Sequence, residues 1–297
     1  MRVSVVVPCY NSTRTIRICI ESILTQREDD YEVIVVDDAS TDGSLSILKE
    51  YPRIKVVPLN KNRGPSFARN VGVRESSGEI LIFLDSDCFV KDPDWIRKHG
   101  ERLNREFRKS IVGGPVNADG PGLIGKTFTY NNWYVCHPKL VSLPWGVWHL
   151  QSTNMSMFRK TFEDLGGFDE SLRAGEDVEF CARAVRQGYA LEYCSHILVY
   201  HENRTLFRQF MKINFDYGKT RITMKHKGVY GKKSFLIQEN PFINIFLIIP
   251  LSVLLTFRIL MVWLPYDLRV LAYLPFIFLG QLMMALGVFH SAICRKR

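Results

Sequence analysis

From residue 3 to residue 90 the chain alternates between short apolar runs and stretches with helical spacing. "VSVVVP" is β-branched and fully apolar, as a buried strand requires. Ile16, Cys19, Ile20, Ile23 and Leu24 follow the i, i+3, i+4, i+7, i+8 spacing of one helix face, with Asn11 or Ser12 placed to cap it. "YEVIVVDD" is a second strand, Leu45 and Leu48 mark a weaker helix, and "IKVVPL" is a third strand. A helix over residues 65–75 and the strand "EILIFLD" complete the series. Uniformly apolar strands alternating with helices predict an α/β fold, with a mostly parallel central sheet covered by helices on both faces.

Beyond residue 111 the alternation loosens. "IVGGPVNADGPG" is a strand breaking into a Gly/Pro loop, and residues 133–148 are aromatic and irregular, as in a flexible flap or a membrane-facing loop, a stretch placed to help choose the acceptor. "GEDVEFCARAVRQG" is a helix with Val178, Cys181, Ala182 and Val185 inward and Gly188 as its stop. Residues 205–220 place Leu206, Phe207, Phe210, Ile213 and Phe215 or Tyr217 on one side with Arg and Lys between them, which fits an amphipathic helix at a membrane surface or an ordinary packed helix. Two apolar stretches starting at "PFINIF" and "VLAYLP" are each about long enough to cross a bilayer, with "PYDLR" between them on the far side. These patterns divide the chain into an α/β domain at 1–203, an interfacial helix and basic linker at 204–240, and two transmembrane helices at 241–297.

Charge and cysteines refine this picture. The formal net charge of +9 comes largely from residues 204–233 and from Arg295-Lys296-Arg297, which flank apolar sequence. That placement favours a membrane lipid partner and no nucleic acid. Lys and Arg on the near side of both spans put the globular part and the C-terminus in the cytoplasm of a multi-pass cell-membrane protein. Arg258 is close enough to the outer end of its span to snorkel. The 7 cysteines form no C-x-x-C pair and lie mostly in apolar surroundings, which reads as reduced, buried thiols. The N-terminal apolar run ends at Pro8 and does not read as a secretory signal.

Polar residues collect where the predicted strands end: Tyr10 and Asn11, then Asp37 and Asp38, then Asp85 and Asp87. In a parallel sheet such ends form one ligand pocket. The lack of G-x-G-x-x-G after the first strand and of a P-loop disfavours those two nucleotide sites. Asp85 and Asp87 repel each other if both project from an extended chain. Mg²⁺ or Mn²⁺, carried in with a substrate phosphate instead of a fixed Lys or Arg, relieves the repulsion; the alternative is that one Asp caps a turn. Asp37 and Asp38 suit a base N–H or ribose hydroxyl, or a helix cap. Glu176 and Asp177 open a helix, where acids meet the dipole favourably, or supply a general base.

In order, "VSVVVPCYN", "VIVVDDASTDGS", "NRGPSFARNVGV", "ILIFLDSDC", "NMSMFRKTFEDLGGFDE", "GEDVEFCARA" and "VYHENRTLFRQF" resemble the family 2 glycosyltransferases, whose fold is GT-A, across residues 3–217. The resemblance implies inverting transfer of a sugar from a UDP- or GDP-sugar to a lipid-linked or other glycan acceptor. It implies that Pro8, Tyr10, Asn11, Asp37, Asp38, Arg69 and Ser86 line the nucleotide, that Asp85, Asp87 and His201 serve the metal, and that Asp177, with Glu176 beside it, is the base. The Q-x-x-R-W motif of processive synthases is missing, which points to transfer of one sugar. A non-catalytic nucleotide- or lipid-binding scaffold and a different metal-dependent phosphoryl-transfer enzyme are the alternatives.

Overall fold

The computed structural model describes residues 1–103, 109–133, 149–230 and 237–294. The expectation of a flap at 133–148 therefore lies, Trp133 apart, outside the described residues. The chain divides into two compact units: the described residues of Met1–Asn117 with Val141–Glu202, and those of Ala118–Leu140 with Asn203–Arg297. The second unit is thus discontinuous in sequence.

The first unit is built on strands β1 (Val3–Cys9), β2 (Tyr31–Asp37), β3 (Lys55–Pro58), β4 (Ile80–Phe83), β6 (Ser110–Gly113), β8 (Met155–Phe158) and β9 (Ala190–Tyr193). They form one sheet in the order β3-β2-β1-β4-β8-β6-β9, in which β8 alone runs against its neighbours. A smaller sheet, β5-β10-β7, pairs β10 (Val199–His201) with β5 (Cys88–Phe89) and β7 (Val116–Asn117). Helices α1 (Ile16–Leu24), α2 (Ser44–Leu48), α3 (Pro65–Arg74), α4 (Trp95–Leu103), α6 (Arg159–Asp164) and α7 (Glu176–Arg186) complete the unit. The mostly parallel α/β architecture is the one expected.

Period-two alternation sends β1 into two cores. Val5 and Val7 pack with Ile16, Cys19, Ile20, Ile23, Trp95 and Ile96 on one face. On the other, Val6 packs with Leu81, Phe83, Met155, Met157, Phe162, Phe168 and Phe180. The α1 stripe is buried as its spacing requires, but Thr15, whose side chain makes no capping bond, occupies the cap position. Asn11 and Ser12 hold neighbouring loops instead. In α7 the inward face is Glu176, Glu179, Phe180, Cys181 and Ala184, while Val185 is exposed. The aromatic core beside the helix selects Phe180 over the smaller Val178 and Val185. Gly188, at φ +81°, does end the helix.

The second unit is helical: α5 (Gly122–Asn132), α8 (Phe207–His226), α9 (Pro241–Trp263) and α10 (Val270–Cys294). Both α9 and α10 are long and apolar enough to cross a membrane, with mean hydropathy 2.5 and 1.9. The buried stripe of α8 is Phe210, Asn214, Gly218 and Ile222, and Leu206 and Phe207 remain exposed. That stripe packs on α10, so within this unit α8 has a packed face.

One glycine tests how tightly α3 sits on the sheet. A Cβ on Gly72 would lie 2.4 Å from Val6 Cγ1. Helix propensity alone favours Gly72→Ala by about 1 kcal/mol. Overpacking of a rigid core costs roughly 1–3 kcal/mol. We expect Gly72→Ala to lower the urea midpoint of unfolding; an unchanged or higher midpoint would show that α3 can move away.

Candidate active site

The parallel strands β1 and β2 end together, with Cys9 paired to Asp37. The loops that follow are laced to each other. Thr41 N–H donates to Asn11 Oδ1 (2.8 Å), Asn11 N–H donates to Ser40 Oγ (3.0 Å), and Asp42 accepts from the Thr13 hydroxyl (2.9 Å). Ser12 Oγ lies 2.8 Å from Ser86 Oγ, which ties the β1 loop to the turn after β4. Asn11 and Ala39 both have positive φ, 51° and 60°. The conformation suits asparagine, but for alanine it costs on the order of 1–2 kcal/mol, a strain that the surrounding bonds must hold.

The acids at the end of β2 are buried. Asp38 accepts from the backbone N–H groups of Arg63 and Gly64, both at 2.8 Å, and so fixes the start of α3. Burial nevertheless raises its pKa, against those two bonds. Asp37 accepts from Ser40 N–H (3.2 Å), and its Oδ1, also buried, has no protein partner among the described residues. Pro8 is half-buried, and Tyr10 is exposed at the rim.

The stretch "DSDC" is a turn, not a continuation of β4: Cys88 N–H donates to Asp85 C=O at 2.9 Å. The turn sends the two carboxylates to different partners. Arg69, buried on α3, donates from Nη2 to Asp85 Oδ1 (2.5 Å) and from Nη1 to Glu176 Oε1 (2.7 Å). The positive charge beside Asp85 is therefore a fixed arginine, contrary to the expectation of a mobile ion alone. A helix whose buried residues include Ala68, Val71 and Val73 admits an arginine because two acids receive it. Burial raises the pKa of Asp85 and of Glu176, and Arg69 opposes the rise in each.

Asp87 faces the smaller sheet, 3.4 Å from His201 Nε2. The antiparallel register of β5 and β10 sets His201 opposite Cys88. Ligand atoms of Asp87, Cys88 and His201 all lie within 4.8 Å of one another; Asp85 is not part of that group. Burial raises the Cys88 thiol well above its usual pKa, so carboxylate and imidazole are the better donors, a set that suits a divalent ion such as Mn²⁺.

Asp177 stands next to Glu176 in the first turn of α7 but has different partners. Its Oδ1 accepts from Val178 N–H at 2.8 Å, and burial raises its pKa. The structure thus brings together Arg69, Asp85 and Glu176, and pairs Asp87 with His201. Sequence reasoning missed Cys88, the Ser12–Ser86 link and the backbone amides that hold Asp38. Proximity of Cys88 to the D-x-D stretch was the one available signal.

The sequence profile described as "Glycosyl transferase family 2" matches residues 4–166. The chain is a family 2 glycosyltransferase. It is 30% identical to glycosyltransferase AglE of Haloferax volcanii, over 74% of this chain and 73% of that one. Over 63% of its length it is 33% identical to the succinoglycan biosynthesis protein ExoO of Rhizobium meliloti, and it covers 56% of that relative. Among solved structures, the mannosyltransferase of Pyrobaculum calidifontis with GDP-mannose and Mn²⁺ superposes with a TM-score of 0.64 at 16% identity, over 100% of this chain and 88% of that one. S. aureus TarS residues 1–349 with UDP-GlcNAc gives 0.54 at 19% identity, over 100% and 92%. Both likenesses establish the GT-A-like fold of this glycosyltransferase.

The Arg69 network yields a stability prediction. Removing one partner of a buried ion pair costs roughly 3–5 kcal/mol, mostly because the other charge is left unpaired. Arg69→Met should lower unfolding free energy by about that amount in urea titrations. Adding Asp85→Asn and Glu176→Gln should recover most of the loss. No recovery in the triple variant would mean that Arg69 acts through packing, not charge.

Proposed function

We propose that this glycosyltransferase moves one sugar, with inversion, from a nucleoside diphosphate sugar to a hydroxyl of a lipid-linked or other glycan acceptor, in cell-envelope or lipid-linked glycan assembly. The observation that carries the reading is the difference between two adjacent acids. Glu176 is engaged by Arg69, whereas Asp177 accepts from the backbone N–H of Val178. Asp177 is therefore the carboxylate placed to take a proton. Its burial raises its pKa and makes it a stronger base than an exposed aspartate.

The other residues bind and orient. Asp87 and His201 would hold Mg²⁺ or Mn²⁺, and that ion, when bound, supplies charge stabilisation for the departing diphosphate. Arg69 fixes Asp85 against Glu176 and acts as a positioning residue. The loops bearing Pro8, Tyr10, Asn11, Asp37, Asp38 and Ser86 receive the nucleotide, with the bare Asp37 Oδ1 as a candidate acceptor for a base N–H or a ribose hydroxyl. A UDP- or GDP-sugar fits such a site. The names of AglE and ExoO as a glycosyltransferase and a succinoglycan biosynthesis protein support glycan assembly. The apolar α9 and α10 associate with the cell membrane, and the catalytic unit and C-terminus lie on its cytoplasmic side, where the flanking Lys and Arg meet anionic lipid.

Three measurements test this reading. Asp177→Asn should reduce turnover by 10²- to 10⁴-fold while donor binding persists; near-normal turnover with a hydroxyl acceptor would refute the base. A base works ionised, so wild-type kcat/KM should fall as pH drops through the raised Asp177 pKa, at higher pH than an exposed aspartate gives; Asp177→Asn should remove that limb. Asp87→Ala should abolish metal-dependent transfer in a screen of nucleotide sugars with a membrane lipid extract. Free nucleoside diphosphate is the expected product, and pyrophosphate would overturn the assignment.

A further inference from the structure

Amphipathic surfaces of the second unit bear on how α9 and α10 meet a bilayer. One side of α10 is occupied along most of its length by polar helices. Tyr130 of α5 packs on Tyr273 near the start of α10, with ring centroids 5.2 Å apart. Asn131 accepts from Gln281 Nε2 (2.7 Å) and donates to Asn214 Oδ1 (2.7 Å), forming a buried amide cluster between α5, α8 and α10. Further along, α8 lies backbone to backbone with α10. A side chain on Gly218 would strike the Met284 carbonyl, and one on Gly287 would strike the Phe215 carbonyl. Ile222 packs with Val288 and Ala292 one turn later. The contacts advance together along both helices, from Phe210 at Gly280 to Ile222 at Ala292, so α8 and α10 run side by side.

The outer side of α8 is charged. It carries Arg208, Lys212, Asp216 and Lys219, with Asp216 paired to Lys212 and Lys219 at 2.7 Å. A bilayer crossed by α10 along its axis would take this flank of α8 into the hydrocarbon with it, where charged side chains are strongly disfavoured. The turn between α9 and α10 is also tied to α5: Asp267 accepts from the Tyr130 hydroxyl at 2.9 Å. The free apolar surface is on α9 instead, where Phe242, Phe246, Ile249, Val253, Phe257 and Met261 form an exposed stripe.

Resting on the membrane association proposed above, we propose that the α9–α10 pair does not cross the bilayer but lies in the plane of one leaflet. The α9 stripe is in the acyl region, and the basic flank of α8 faces anionic headgroups. Charge complementarity selects an anionic lipid surface as the occupant of this face. Arg258, exposed on α9, reaches the headgroups without a long excursion.

The test uses the full chain, with Cys136 and Cys294 replaced by serine, bound to vesicles of phosphatidylglycerol and phosphatidylethanolamine. A fluorophore is placed on Phe242→Cys or Val253→Cys, eleven residues apart on one face of α9, and its depth is measured with lipid-borne quenchers. In a crossing helix the second position lies near the bilayer centre and the first about 16 Å shallower. Depths differing by less than about 8 Å support the in-plane arrangement. A larger difference overturns it and leaves membrane association and sugar transfer standing. Protein that remains in solution with the vesicles overturns both this inference and the membrane association. Phe246→Cys and Phe257→Cys, similarly exposed, replace either variant that fails to fold.

Discussion

The candidate active site depends on one buried guanidinium. Arg69 is 2% exposed and holds Asp85 and Glu176, which come from a strand end and a helix start far apart in the chain. Burying three charges is unfavourable unless they neutralise and hydrogen-bond one another. Here two acids against one base leave a net negative charge, and the pKa values of both acids are raised by burial. The cluster therefore sets a negative field at the mouth of the sheet. A divalent ion at Asp87 and His201, as proposed above, would relieve such a field; the pKa of Asp177 is raised chiefly by its own burial, a rise that Arg69 opposes.

The same network separates roles among acids that look equivalent. Asp85 and Asp87 share a motif, yet the turn closed by Cys88 N–H directs one to Arg69 and the other to His201. Glu176 and Asp177 are neighbours in one helical turn, where successive side chains point about 100° apart. One reaches Arg69, while the other is left with backbone donors. Elsewhere in the first unit polar groups are used structurally. His99 is fully buried between Ser156 and Asn154, and burial lowers its pKa to about 3, so it stays neutral.

Most of the first unit was legible in the sequence because its strands are apolar on both faces and its helices carry a clear stripe. Two kinds of feature were not. Helix α5 follows a Gly/Pro loop and is rich in Thr, Asn and Tyr, residues with modest helix propensity, and its place is secured by α10. The α8 stripe was misjudged because Asn214 and Gly218 belong to it. An amide and a glycine do not read as a buried face until an amide partner and a close backbone are present.

What the sequence determined by itself was local: periodicity, strand ends, the acids that follow them and the order of motifs that resembles one family. These follow from backbone geometry and from neighbours a few residues apart. Tertiary structure decided which charges meet. Arg69 and Glu176 lie 107 residues apart, and nothing local to either predicts the other. The charge sought beside "DSD" proved to be an arginine for the first aspartate, while the second lies against the His201 imidazole, because folding brings α3, α7 and β10 to the turn that carries them.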